Sequence, residues 1–261
     1  MIVPAGDSIS CVAASAEELF LIVNQPKDQL HVYDISSCKF KRALTVSGLQ
    51  YSAQNDLAFC TARQCLYLSD YDGRRVHRLK LPTAMSKWSI ADHPYGVSVS
   101  RENTVLVTCR QAKKLLEYSG GGRFLRAIVL GVTNPWHGVQ TSADRFLVAH
   151  GYHGDAARGL LVTDAAGRVR HSSKYSDERL NLPRHCAVDD SGRVYVVDAG
   201  DQRVIAMSPD LQYLGDVASR GRDDLAWWPV RICLDPSSER LFVADSNTES
   251  GRVVAYNIVT G

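Results

Sequence analysis

Short apolar runs separated by turns rich in Gly, Pro, Asp and Ser fill the chain, and no stretch sustains the 3.6-residue rhythm of an amphipathic helix. The strongest run recurs: FLIVN ending at Asn24, LYLSD at Asp70, VLVTC at Cys109, FLVAH at His150, VYVVD at Asp198 and LFVAD at Asp245. Successive spacings are 46, 39, 41, 48 and 47 residues. A run with almost no polar position is a strand covered on both faces. A period in the forties is the length of a four-stranded propeller blade.

Weaker strands keep register with that run. A proline fifteen or sixteen residues upstream opens one in four copies: HPYGVSV, NPWHGVQ, LPRHCAV and WPVRICL. Downstream come QLHVYD, RRVHRL, KLLEYS, GLLVTD, RVIAMS and RVVAYN, then polar-patterned strands such as KFKRALTV and RFLRAIVL. The pattern predicts an all-β fold: one six-bladed β-propeller of four-stranded antiparallel blades spanning 1–261. The blades fall at about 8–46, 55–90, 94–129, 135–173, 183–219 and 229–257. A single twisted blade cannot bury both of its apolar faces; a closed ring buries them all and protects the edges. The last copy supplies three strands, so the fourth must come from residues 1–4. So short a clasp is what a propeller cut from a longer chain would show.

Composition narrows function by exclusion. With 30 Lys+Arg against 28 Asp+Glu, the net charge of +2 gives no whole-molecule attraction to DNA, RNA or anionic membranes. Seven cysteines, an odd count without a C-x-x-C pair, read as small buried hydrophobes in a reducing, cytoplasmic setting. No apolar stretch is long enough for a spanning helix, and no P-loop, nucleophile elbow or zinc-finger spacing occurs.

In an antiparallel blade the start of strand one lies beside the end of strand two, so residues some forty positions apart converge on one face around the axis. Two places after the opening proline stand Gly96, His137, His185 and Arg231; one place after it stand Tyr95, Trp136, Arg184 and Val230. His150 closes strand two of blade four, and Arg74, Arg75, Lys113 and Lys114 occupy the following turns. These residues, with Trp227 and Trp228, form the expected binding rim. Each also has a plainer role. A histidine at a strand end is ordinarily a hydrogen-bonded structural residue, the Asp ending strand two a turn-former, and Trp228 before Pro229 a packing residue.

The repeat resembles the NHL repeat, best over LPRHCAVDDSGRVYVVDAGDQRVIAM at 182–207 and over 229–256. Metazoan NHL propellers, often carried behind RING and B-box domains, use this face for protein or RNA partners. The resemblance therefore implies a non-catalytic recognition module, with a protein partner ahead of single-stranded RNA because the charge is nearly balanced. Arg with aromatics suits either partner, through interface anchors or through phosphate contacts and base stacking. Related propellers include a peptide-amidating lyase, which holds zinc through histidines, and streptogramin B lyase. By that resemblance His137, His185 and His150 would ligate zinc, with Arg231 steadying an oxyanion. Gluconolactonase-type relatives bind a divalent ion through acidic and amide groups, for which Asn24, Asp198 and Asp245 are the counterparts. A pure scaffold is the third class.

Overall fold

The structure, a computed structural model, describes the backbone of 2–4 and residues 8–24, 28–81, 84–152, 155, 158, 159–172, 180–221, 225, 228–235, 240–247 and 250–258. Its strands form six four-stranded antiparallel sheets. Blade one holds β2 (Ile9–Ala14), β3 (Glu18–Val23), β4 (Gln29–Asp34) and β5 (Phe40–Thr45). Blade two holds β6 (Asp56–Cys60), β7 (Cys65–Asp70), β8 (Arg75–Lys80) and β9 (Ala84–Ser89). Blade three holds β10 (Pro94–Val99), β11 (Val105–Cys109), β12 (Lys114–Tyr118) and β13 (Phe124–Val129). Blade four holds β14 (Pro135–Ser142), β15 (Arg145–His150), β16 (Gly159–Asp164) and β17 (Val169–Ser172). Blade five holds β18 (Pro183–Val188), β19 (Val194–Asp198), β20 (Arg203–Met207) and β21 (Tyr213–Ser219). Blade six holds β22 (Trp228–Leu234), β23 (Arg240–Ser246) and β24 (Gly251–Asn257), and β1 (Ile2–Pro4) completes it by pairing with β24. The six-bladed propeller read from the period is the observed fold, closed by the first strand of the chain against the last.

Second strands are apolar at nearly every position because their two faces serve two interfaces. In β15, Phe146 and Val148 pack toward blade three while Leu147 and Ala149 pack toward blade five. The buried core is accordingly divided into clusters, each shared by two neighbouring blades. Outer strands such as β5, β13 and β17 are largely exposed, which explains their mixed patterning.

A cross-strand pair recurs where strand two turns into strand three. Asp70 faces Arg75, Asp198 faces Arg203 and Asp245 faces Arg252, with ion-pair distances of 3.4, 3.3 and 3.2 Å. Asp198 also accepts the backbone N–H groups of Asn181 and Leu182, tying this corner to the entry of strand one. Asp70 also caps the turn that follows it, accepting the Gly73 N–H at 2.8 Å. Arg74, Lys113 and Gln202 share a left-handed backbone in the same turn, with φ of 49°, 54° and 53°. Each carbonyl receives the N–H of the residue just after the outer strand, Ile90, Leu130 and Arg220 respectively. No helix among the described residues is long and apolar enough to cross a membrane.

Candidate functional site

The site follows from a β-bulge repeated at the start of strand one. Pairing skips one residue between Ile9 and Cys11, Pro94 and Gly96, Pro135 and His137, Pro183 and His185, and Pro229 and Arg231. A bulge re-aims consecutive side chains that would otherwise alternate across the sheet. The skipped residues Ser10, Tyr95, Trp136, Arg184 and Val230 are the upper tier around the axis. The next residues, Cys11, Gly96, His137, His185 and Arg231, are the lower tier, with Asp56 at the matching register in blade two opposite Ser69. Gly96 leaves room for its neighbour: a Cβ there would lie 2.8 Å from the Trp136 carbonyl oxygen and 2.9 Å from the His137 ring.

The lower tier is a buried cluster centred on Asp56, which is 0 % exposed, and His185 Nε2 within it has no hydrogen-bond partner among the described residues. Its Oδ2 accepts the Val97 backbone N–H at 2.9 Å, and its Oδ1 accepts Arg231 Nε at 3.2 Å and the Cys11 thiol at 3.3 Å. His137 Nε2 lies 3.6 Å from Oδ2 and His185 Nε2 3.5 Å from Oδ1, and the two imidazoles stack at 3.7 Å between centroids. Burial alone would raise the Asp56 pKa. The His185 ring and the Arg231 guanidinium outweigh it and hold the carboxyl well below the usual range. Burial, reinforced by His185 and Arg231, pushes His137 down to about 3, and burial lowers His185 as well.

Asp56, His137 and His185 present ligand atoms within 4.8 Å of one another, so a metal ion must be tested here. The N–O separations are close to the roughly 3.3 Å edge of a tetrahedral site with bonds near 2.0 Å. The protons are wrong, however. The Ile232 N–H donates to His185 Nδ1 at 3.5 Å, which leaves the ring proton on Nε2, the atom that would bind. His137 Nδ1 faces the Cys186 sulfur at 3.6 Å, where either atom can donate, so the contrary proton arrangement rests on His185. A ligating histidine does the opposite, donating from its far nitrogen. Arg231 already holds the shared carboxylate oxygen. Asp56, His137 and His185 together offer one carboxylate oxygen and two imidazole nitrogens, with Arg231 competing for the oxygen. His150, the third ligand expected by resemblance, is not in the group: it pairs with Pro135, one register step away.

The upper tier is aromatic and cationic. Trp136 donates Nε1–H to the Gly151 carbonyl at 2.6 Å, meets Tyr95 edge-on at 5.2 Å and stacks with Tyr152 at 6.0 Å. The Arg110 guanidinium sits 4.2 Å from the indole centroid and bonds to Asn134 Oδ1 and the Tyr95 hydroxyl. The Arg184 guanidinium lies 5.0 Å from the same centroid. Its Nε is buried without a hydrogen-bond partner. Burial and the charge of Arg231 push its pKa down.

The remaining predicted rim residues scatter. Arg74 donates to His93, Arg75 is committed to Asp70 and the Gly73 carbonyl, Lys113 lies in the β11–β12 turn and Lys114 opens β12. Trp228 is exposed with Arg220 over its ring, and Trp227 lies outside the described residues. Sequence reading missed Asp56 and Cys11 as members of the axial site, while it did place Arg110 on this face. Below the lower tier, a cavity of about 710 Å³ runs along the axis between apolar walls such as Val139 and Leu234 to the turn at Asp189–Ser191.

No protein-family model matches the chain, and no curated protein does. Solved structures do. It resembles a chain of hydrazine synthase from Kuenenia stuttgartiensis with a TM-score of 0.68 and 14% identity, over 98% of this chain and 97% of that one. It resembles inactive virginiamycin B lyase from Staphylococcus aureus with quinupristin at 0.68 and 11%, over 96% and 81%. A streptogramin B lyase gives 0.69 and 10%, over 100% and 88%. At such identities the likeness is one of fold: a six-bladed β-propeller.

Proposed function

We propose that this propeller is a recognition module that binds a protein partner at the axial mouth where the inner strands begin. The observation that carries the reading is the pair of guanidinium groups, Arg110 and Arg184, held against Trp136 beside the exposed ring of Tyr152. Arginine and aromatic side chains fixed on a rigid frame are the anchors of protein interfaces. The resemblance to NHL repeats supports the same role, and seven free cysteines fit a cytoplasmic setting.

RNA is the weaker alternative. Base stacking needs open ring faces, whereas Trp136 and Tyr95 are only 8 % and 7 % exposed and already packed on one another. A lyase reading would place a metal on Asp56, His137 and His185, where Arg231 already competes for the carboxylate.

Selection of peptides from a random displayed library on the intact protein tests the proposal. Affinity of the selected peptides should fall about tenfold or more in Tyr152→Ala and Arg110→Ala, in the range of interface anchors. Lys41→Ala and Arg126→Ala on the outer strands should leave it unchanged. Binders indifferent to the mouth but sensitive to the outer strands would overturn it.

A further inference from the structure

We infer that the axial mouth contains an anion site built on Arg184, and that its occupant is a carboxylate carried by the partner. The inference rests on the mouth being the recognition face and adds the chemistry it reads. Among the described residues, Arg184 donates no hydrogen bond and forms no ion pair, and its Nε is buried. The residue is only partly buried, so the cost falls on that Nε–H, which burial strips of water and no described residue accepts. Other inward-facing arginines do not behave so: Arg231 has Asp56, Arg203 has Asp198 and Arg252 has Asp245.

The surroundings make the site anionic rather than merely polar. Arg110 reaches the same indole and bonds to neutral acceptors, Asn134 and Tyr95, with the Asp155 carboxylate near enough to feel its charge. Arg231 lies near enough to depress ionisation of Arg184. An anion between these cations relieves their repulsion and supplies the missing acceptor. The planar guanidinium fork matches a carboxylate through two parallel N–H···O bonds. The exposed ring of Tyr152 suits the apolar stem of an amino-acid side chain. The carboxylate can come from Asp or Glu or from a chain terminus.

Fluorescence polarisation with labelled probes separates the sources. N-acetylated tetraglutamate amide represents side-chain carboxylates, and its glutamine counterpart removes the charge alone. An acetyl-trialanyl-leucine peptide as free acid and as amide represents the terminus, and a uridylate decamer represents phosphate. One carboxylate probe should bind and its neutral twin should not. Arg184→Gln should weaken that binding about tenfold or more, with Arg184→Lys in between because it keeps charge but loses the fork. No binding of either carboxylate probe, equal binding of the neutral twins, or binding of uridylate alone overturns the inference. So does full retention in Arg184→Gln. If Arg184→Gln has no effect while Tyr152→Ala still abolishes capture of the selected peptides, the recognition face stands and the carboxylate site falls.

Discussion

Arg231 and Arg184 stand at the same end of neighbouring blades, one register step apart, and the protein treats them in opposite ways. Arg231 occupies the lower tier, where Asp56 takes its Nε at 3.2 Å and the Val230 carbonyl takes Nη1 at 2.9 Å. Arg184 occupies the bulge above, against Trp136, with no acceptor among the described residues. A buried charge with its counter-ion and hydrogen bonds in place is a structural element. A desolvated charge without them is strain that persists only if something outside the chain relieves it. The lower tier therefore locks the inner strands of all six blades around one carboxylate, blade three through the Val97 N–H, and the upper tier is left to meet a partner.

The largest effect should come from breaking the lock. Asp56→Ala strands Arg231 and the Val97 N–H in a site without water, and unfolding in urea should show a loss of about 3–5 kcal/mol. Asp56→Asn combined with Arg231→Met should cost less than the sum of the two single changes, because neither charge is then left alone. A loss below about 1 kcal/mol in Asp56→Ala would mean that the tier is not the axial fastener.

Acid should loosen the same lock. The pKa of His137 is about 3 when folded and near 6.5 when unfolded, so between those values the unfolded chain binds a proton that the native protein refuses. Stability then rises with pH in that window and falls as pH drops below about 6.5, by a few kcal/mol before pH 4. His185, also lowered, acts in the same sense. Asp56 adds its loss only below the ordinary carboxylate range, while Asp198, raised by burial, opposes the trend just above it. Melting temperatures across pH 4–7 should show the slope, and His137→Gln should flatten it. A flat wild-type profile would mean that the imidazoles are solvated or already charged.

Much of this arrangement was legible in the chain, for identifiable reasons. The blade period shows because strand two feeds two interfaces and so tolerates few polar positions. The pairing of His137, His185 and Arg231 at one level follows from their shared place after proline. Asp56 escaped because blade two has neither the proline nor the bulge, and β6 starts at Asp56 paired directly with Ser69. Its bond to Arg231 spans 175 residues, beyond any local pattern. The one available signal was offset: Asp56 stands fourteen residues before Asp70, as Arg231 stands before Asp245. His150 misled for the related reason that one bulge displaces a neighbour in sequence from its neighbour in space. The aromatics were visible as a rim, but nothing in their spacing reveals that Tyr95 and Trp136 close on each other and on Arg110.

The smallest effect on folding should be the most telling. If Arg184 served the fold, removing it would cost what removing Arg231 costs. With no acceptor to lose and a desolvated charge relieved, Arg184→Leu should change stability by no more than about 1 kcal/mol and in the favourable direction. The leucine stem replaces the packing of the arginine stem against Trp136, so the comparison isolates the charge. Urea unfolding beside Arg231→Leu decides between the two roles. A loss near that of Arg231→Leu would show that Arg184 has an internal partner and would erase the distinction between the tiers, whereas equal or greater stability marks the upper arginine as one held in readiness for an external acceptor.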